Sequence, residues 1–281
     1  MNGRRAIGRL CMLCALLVSA FAAQSASATI VISGTTAFTC VNGGGAKNLR
    51  GEHCLTTGSA AQTFGHVAIA ENTKTELTGT NAKTANETKE AAIGTLKVTI
   101  AGVPLELSAT GVSASGSIQN TKTLFGLEHY IDGKGTITFT GVTVKAPAGR
   151  GCKVFTDVEA TKTKGEQGVV HTRELTVSTE GRGDHLNLEP VDGGLKSLVN
   201  FFVECEAGKQ IPAIEGTWEC LGNVEGVPNG ATTGFTHTAT TEQNTLKCKG
   251  TKSGLEGQLT LSARETGSTG AFTPLSATTI F

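Results

Sequence analysis

The clearest pattern in this chain is strict alternation of apolar and polar residues over short runs. Leu96, Val98 and Ile100 occupy every second position, which places them on one face of a β-strand. The run 103–107 repeats the alternation after a two-residue link that contains glycine, so the two runs predict a β-hairpin. Pro104 has no backbone donor for a ladder, and we therefore expect a sheet edge at that point of the second strand.

The same alternation predicts strands along most of the remaining chain. Val199, Phe201, Val203 and Cys205 share one face and define the strongest core strand of the second half. The apolar phase shifts after Gly141, which predicts a β-bulge there. Further predicted strands cover residues 64–70, 112–118, 135–140, 152–160, 173–180, 185–189, 197–205, 214–220, 234–240, 245–249, 258–263 and 271–281.

No segment shows a convincing helical period over ten residues, and residues 82–92 are interpreted as a polar connection. About fifteen short strands with glycine-, threonine- and asparagine-rich turns predict an all-β fold, an antiparallel sandwich or barrel. Glycine supplies 37 of 281 residues, about 13% against a usual ~7%, which also favours many turns. An interruption by proline and glycine at residues 146–151 predicts two packed β domains, 29–146 and 152–281.

The first 28 residues have the anatomy of a secretory signal peptide. Three arginines precede an apolar run over residues 10–23, and Ala26-Ser27-Ala28 forms a small-residue cleavage site. A lipid anchor and a twin-arginine leader are weaker alternatives to ordinary secretion. The apolar run is too short to span a membrane, and no later run is long enough. We therefore expect cleavage after Ala28 and a secreted or cell-surface protein with no transmembrane segment.

The charge balance bears on the partner. Removing the three leader arginines from the 24 basic residues leaves 21 against 24 acidic ones, a net charge of −3 for the mature chain. A mildly acidic chain without a basic block argues against nucleic acid as the partner. A cell-surface polymer or a protein is the expected partner class.

The mature chain retains an even number of cysteines, which in an exported protein predicts disulfides. Cys152 begins one predicted strand and Cys205 ends another, so antiparallel pairing places them side by side. The predicted connectivity is Cys40–Cys54, Cys152–Cys205 and Cys220–Cys248, with Cys205–Cys220 and Cys152–Cys248 as the open alternative. None of the mature spacings matches a zinc site, and we expect no metal or cofactor.

Candidate catalytic chemistry is limited to carboxylates. A glycosidase needs two carboxylates across a cleft, and acidic residues cluster between positions 174 and 192. The single Trp and single Tyr argue against a sugar groove lined by aromatic rings, and Trp218 is expected to pack beside Cys220. The candidate carboxylates are Glu174, Glu180, Asp184, Glu189 and Asp192.

Several shorter motifs are interpreted as turns or chance matches. The segment 111–116 lacks the spacing of a serine-hydrolase elbow. Asp132-Gly133 and Asp192-Gly193 lack the alternating oxygen ligands of a calcium loop, and Asp-Gly is a favoured hairpin turn. Arg182-Gly183-Asp184 is interpreted as a turn as well.

Three motifs follow one another in the second half of the chain: Gly151-Cys152-Lys153-Val154, Leu186-Asn187-Leu188-Glu189-Pro190 and Phe201-Phe202-Val203-Glu204-Cys205. In this order they resemble a group of exported, β-rich proteins of unknown function from high-GC Gram-positive bacteria, and the resemblance covers residues 135–281. Residues 112–144 depart from it because they lack expected cysteines. The resemblance implies export and a β fold, and it assigns no functional residue.

We therefore expect an exported non-catalytic β protein with a surface binding or scaffolding role. An extracellular polysaccharide hydrolase is the first alternative. A secreted inhibitor or small-ligand carrier is the second. No catalytic, cofactor-binding or metal-binding residue is predicted.

Overall fold

The fold was analysed in a computed structural model. The structure describes residues 33–42, 49–50, 56–57, 64–81, 94–123, 128–158, 163–180, 185–191, 196–229, 232–236, 245–267, 269 and 271–280. Every regular element in these residues is a β-strand, which confirms the predicted all-β class. No helix in the described ranges has the length and apolar character needed to cross a membrane. The predicted signal peptide, residues 1–28, and the predicted connection at 82–92 lie outside the described residues.

Twenty-two strands are described, and their bounds are as follows. They are β1 (Ser33–Asn42), β2 (Leu49–Arg50), β3 (Thr56–Thr57), β4 (Phe64–Ala68), β5 (Thr75–Asn81), β6 (Thr95–Ile100), β7 (Val103–Ser108), β8 (Gly111–Lys122), β9 (Glu128–Thr140), β10 (Thr143–Ala146) and β11 (Lys153–Val158). The others are β12 (Thr163–Gln167), β13 (Val169–His171), β14 (Leu175–Ser178), β15 (Leu186–Pro190), β16 (Ser197–Glu204), β17 (Gly216–Leu221), β18 (Val224–Asn229), β19 (Thr232–Thr236), β20 (Lys247–Cys248), β21 (Thr251–Glu265) and β22 (Thr273–Ile280).

Eight antiparallel strands close into a barrel in the order β5–β8–β9–β14–β15–β18–β19–β21. The ring closes at Leu259 of β21, which pairs with Asn81 on one side and Thr233 on the other. Closure removes the unpaired edges that an open sheet exposes. The long strands β8, β9 and β21 also extend beyond the ring and pair with further strands.

Two groups of strands extend the barrel sheet. The first part of β21 pairs with β6, which continues to β7 and β10. Strand β1 pairs with β22 and β4, and briefly in parallel with the start of β9. A second sheet, called the small sheet, runs in the order β12–β11–β16–β17–β20 and meets the start of β21.

The apolar side chains form two cores. The large core combines side chains of the barrel strands, of β6 and β7 and of the small sheet, and its fully buried members include Trp218, Phe201, Leu105 and Leu175. The small core lies between β1, β8, β9, β21 and β22. Its buried members are Ala37, Ile69, Ile118, Ile131, Ala263 and Leu275.

Two buried threonines attach the chain around β14 to β9. The Thr179 hydroxyl accepts a hydrogen bond from the Ile131 amide at 2.9 Å, and the Thr172 hydroxyl accepts one from the Ile137 amide at 2.9 Å. The backbone amides of Thr179 and Thr172 donate back to Ile131 and Ile137 at 3.0 and 2.9 Å. These contacts satisfy buried backbone groups at both ends of the β9–β14 ladder.

The predicted hairpin over residues 95–107 is confirmed. Ile100 pairs with Val103 across the link, and Ala101 and Gly102 have φ values of 49° and 78°, as the two-residue hairpin turn requires. On its second side β7 pairs with β10 only from Glu106 onward. Pro104 therefore lies at a sheet edge within the described residues, as predicted.

One turn and one bulge predicted from the sequence are wrong. Asp132-Gly133 lies inside β9, paired on both sides with β8 and β14, and is not a hairpin turn. Glycine in this part of the sheet allows the backbones of β8 and β9 to approach closely, since a Cβ on Gly116 of β8 would lie 2.1 Å from the Lys134 carbonyl oxygen of β9. Gly141, with φ of 59°, lies in a bend between β9 and β10, so it is not a bulge inside one continuous strand.

The predicted domain boundary at residues 146–151 lies in a turn inside one compact unit, which covers Ile32–Phe281. Strands on its two sides pair in the same sheet, because β9 pairs with β13 and β14. The large core also contains residues from both sides, such as Leu105 and Phe201. The structure therefore does not separate 29–146 and 152–281 into two domains.

The structure contains the disulfides Cys152–Cys205 and Cys220–Cys248. Both match the predicted connectivity, and the alternative pairing of these four cysteines does not occur. Cys152 and Cys205 extend the β11–β16 ladder, where Lys153 is opposite Glu204, and Cys220 is directly opposite Cys248. Cys40 is disulfide-bonded, and its predicted partner, Cys54, lies outside the described residues.

Candidate functional site

The five predicted carboxylates do not form one described cluster. Glu174 and Glu180 are exposed and flank β14 at its opposite ends, separated by roughly 20 Å of extended chain. Glu189 lies on β15, opposite Thr176 of β14. Asp184, Asp192 and the tripeptide at 182–184 lie outside the described residues.

Glu189 belongs to a larger surface that we call the outer polar face. It consists of the outward-facing side chains of β21, β5, β8, β9, β14, β15 and the start of β18, on the reverse side of the strands from Leu175, Leu186 and Leu188. Side chains that share a face of paired strands form rows across the sheet, with strands about 4.8 Å apart. Three such rows follow directly from the strand register.

The first row contains only hydroxyl side chains. Ser262 is opposite Thr78, Thr78 is opposite Ser115, and Ser115 is opposite Thr136. The Ser115 and Thr136 hydroxyl oxygens are 3.2 Å apart. A hydroxyl both donates and accepts, so this row presents uncharged hydrogen-bonding groups on four adjacent strands.

The second row alternates charges of opposite sign. It runs through Arg264, Glu76, Ser117, Lys134, Thr176 and Glu189. The Arg264 guanidinium donates to the Glu76 carboxylate, with 3.0 Å from Nε to Oε2. This hydrogen bond holds the pKa of Glu76 below its ordinary value. The row has two positive and two negative groups and therefore no net charge.

The third row is formed mainly by amides and acids. It runs through Gln119, Asp132, Ser178, Asn187 and Glu225. Gln119 Nε2 donates to Asp132 at 3.4 Å, and Asn187 Nδ2 donates to Glu189 at 3.3 Å. The Asn223 side-chain amide donates to Asn187 Oδ1 at 2.7 Å.

Glu225 is the most enclosed acid of this face. Its carboxylate lies 3.9 Å from His185 Nδ1, while most of its residue surface is buried. In the described part of the chain, no group of three His, Cys, Asp or Glu side chains is arranged to hold a metal ion. What the outer polar face can do chemically is form hydrogen bonds over a continuous sheet surface.

An apolar cavity of about 40 Å³ lies inside the large core. Its lining includes Leu96, Phe139, Leu198, Phe201 and Leu255. Pockets for drug-sized ligands occupy about 300–1,000 Å³, so this cavity is too small for such a ligand.

Trp218 is fully buried and stacks on Phe201 with ring centroids 5.5 Å apart, which confirms that it packs in the core.

The sequence did not identify the outer polar face as a unit. Only Glu189 among the candidate carboxylates belongs to its rows, while Ser115, Thr136 and Lys134 were not singled out as site residues. Alternation does indicate which residues face outward, but strand register alone shows which of them are neighbours. No family model, curated protein or solved structure matches this chain.

Proposed function

We propose that the mature chain is an exported, non-catalytic β protein that binds or scaffolds at the cell surface through its outer polar face. The in-register hydroxyl row is the observation that supports this role most directly. Ser262, Thr78, Ser115 and Thr136 offer hydrogen-bonding groups at regular spacing on a closed barrel. A rigid sheet holds such groups in fixed positions, which lowers the ordering cost of binding.

Export is supported by the leader and by the disulfides. Disulfides persist in oxidising compartments and are rare in the cytosol. Cys220 and Cys248 are fully buried beside the aromatic residues of the large core. A cystine in this position is part of the packed structure, as expected of a protein that works outside the cytoplasm.

The alternative of a polysaccharide hydrolase receives less support. Glycosidase carboxyl groups are about 5–9.5 Å apart, whereas Glu174 and Glu180 flank opposite ends of a strand. Glu189 lies on the outer surface of the barrel and is hydrogen-bonded to Asn187.

The carrier alternative is not supported by the cavity in the large core, whose volume is only about 40 Å³.

The test is binding of the oxidised mature chain to whole cells and isolated envelope of the producing strain. Thr136→Lys places a long cation at the β9 end of the hydroxyl row, next to Ser115. We expect it to weaken binding roughly tenfold, because a buried, unpaired charge opposes contact. Thr99→Lys is the matched control, since Thr99 is exposed on β6, outside the barrel ring.

Equal binding by the wild type and Thr136→Lys would show that the outer polar face is not the contact surface. Reproducible hydrolysis of envelope polysaccharide by the purified chain would contradict the non-catalytic role. A start within the apolar run, or an intact leader on protein recovered from the medium, would contradict the predicted cleavage, and recovery of the protein from the cytosol alone would contradict export.

A further inference from the structure

The outward side of the small sheet carries a pair of phenylalanines outside both cores. Phe155 of β11 is directly opposite Phe202 of β16, and both are half-buried. Their sequence neighbours Val154, Phe201 and Val203 point to the other side and are fully buried. The two rings therefore form a partly exposed aromatic surface, on a different sheet from the outer polar face.

The ammonium group of Lys164 lies against both rings. Its Nζ is 5.5 Å from the Phe155 ring centroid and 5.4 Å from the Phe202 ring centroid. The same nitrogen forms an ion pair with Glu204. Two aromatic faces and one carboxylate around a single cation are the groups that recognise alkylammonium ligands.

One carboxylate oxygen beside this cluster has no hydrogen-bond partner in the part of the chain that the structure describes. Asp157 is opposite Lys164 in the strand register, but the Lys164 side chain reaches Glu204 instead. The Oδ1 atom of Asp157 is buried and has no hydrogen-bond partner among the described residues. Lys153 is opposite Glu204, and it is the other cationic residue on this side of β11. Asp157 Oδ1 is therefore a buried acceptor that a bound cation with an N–H group could use.

We propose that Phe155, Phe202 and Glu204 form a binding site for an alkylammonium group, which Lys164 of the same chain occupies. Ligands of the choline or lysine type compete with Lys164 for this site. Lys164 can be displaced because its side chain is 41% exposed, and an exposed ion pair contributes little to stability. The site does not depend on the outer polar face or on the function proposed for it.

The test compares choline binding by the oxidised full chain with choline binding by its Lys164→Ala variant. Binding is measured as the change in NMR chemical shift of the Phe155 and Phe202 rings during titration with choline. Removing the tethered competitor should tighten choline binding roughly tenfold, because an intramolecular group acts at high effective concentration. Adding Phe202→Ala to Lys164→Ala should weaken it roughly fivefold through the loss of one ring. Lys97→Ala, at an exposed position on β6 outside the barrel ring, is the matched control and should behave as the wild type.

The uncharged isostere of choline, with carbon in place of nitrogen, separates charge recognition from apolar contact and should not bind. Equal choline affinity of Lys164→Ala and the wild type would overturn the proposal, as would unchanged affinity after Phe202→Ala. Saturable binding of the isostere would overturn it too. If Lys164→Ala lowers the unfolding temperature, Lys164→Gln replaces it, since glutamine keeps the polar chain without the charge.

Discussion

The large core and the small core are built from different side chains. Trp218 and Phe201 are fully buried in the large core and stack with an interplanar angle of 9°. The described members of the small core include no aromatic residue, and Ala37 and Ala263 are among them. The large core therefore packs around stacked aromatic rings, whereas the described small core packs through aliphatic side chains alone.

The large core is reinforced around its tryptophan. Trp218 Nε1 donates to the Ile214 carbonyl at 2.6 Å, and the Lys249 ammonium covers the ring at 4.5 Å from its centroid. Lys249 also donates to the Glu215 carbonyl at 3.1 Å. Its burial lowers the pKa of its amine. Packing, hydrogen bonds and disulfides thus act on the same strands of the small sheet.

The small core depends on one buried amide. Asn120 is 2% exposed, and its Oδ1 accepts from the Ala37 amide at 2.8 Å. Its Nδ2 donates to the carbonyls of Ala37 and Ile69 at 2.9 and 2.8 Å. A single side chain therefore joins β8 to β1 and to the chain that follows β4. The comparison teaches that directional hydrogen bonds from one buried side chain can fix strand positions in a core that has no aromatic ring among its described members.

Trp218→Ala tests the large core and should have the largest effect. We expect a loss of about 4 kcal/mol in the free energy of unfolding, because truncation of a buried aromatic leaves a cavity. Urea unfolding followed by circular dichroism measures it, since the substitution removes the only tryptophan. Glu219→Ala, an exposed neighbour on β17, is the control. If Trp218→Ala lowers the free energy of unfolding no more than Glu219→Ala does, the large core does not depend on this ring.

Removal of the buried disulfide should have the next largest effect. The double substitution Cys220→Ala and Cys248→Ala opens a link between residues 28 apart in sequence. The chain-entropy model assigns about 3.5 kcal/mol to a loop of this size. Urea midpoints of the oxidised wild type and the double variant give the difference. An unchanged midpoint would mean that packing alone holds β17 against β20.

Asn120→Ala tests the small core and should cost about 2 kcal/mol, because the Ala37 amide and the Ile69 carbonyl lose their buried partner. Gln119→Ala is the matched control, since that amide lies on the outward side of the same strand and bonds Asp132 at 3.4 Å. The control should stay within about 0.5 kcal/mol of the wild type. Equal losses in both variants would remove the special role assigned to Asn120.

Local alternation was sufficient to predict much of the large core. Val199, Phe201 and Val203 face the large core as predicted. The predicted hairpin also forms, with its first strand ending at Ile100 and its second strand beginning at Val103. In both places the buried apolar side chains occupy every second position, although the intervening residues are not all polar, since Phe202 lies between Phe201 and Val203. The local pattern and the tertiary contacts therefore agree.

The barrel interior was harder to predict, because its strands use small residues. Thr75–Asn81 has only one large apolar residue, Leu77, yet it forms β5 in the ring. Asp132-Gly133 has the local signal of a turn, but β8 and β14 pair with it on both sides. The outer polar face could not be predicted for the same reason, since its rows exist only when distant strands are in register.

The smallest expected effect is a loss of stability at acid pH, and it arises next to β1, the strand to which Asn120 is hydrogen-bonded. His66 of β4 stacks on Phe38 of β1 with ring centroids 5.0 Å apart, and its buried Nε2 has no hydrogen-bond partner among the described residues. Burial lowers the pKa of His66 below its ordinary value. As the pH falls below about 6.5, the unfolded chain therefore binds a proton before the folded chain does, and stability decreases.

His66→Gln should remove this contribution, so its urea midpoint should fall less than that of the wild type between about pH 7 and pH 5. His171→Gln, at an exposed position beside Thr138, is the matched control and should keep the wild-type slope. Parallel slopes for the wild type and His66→Gln would show that protonation of His66 does not couple to unfolding. A difference confined to His66→Gln would place an acid-sensitive contact on β1, next to the small core.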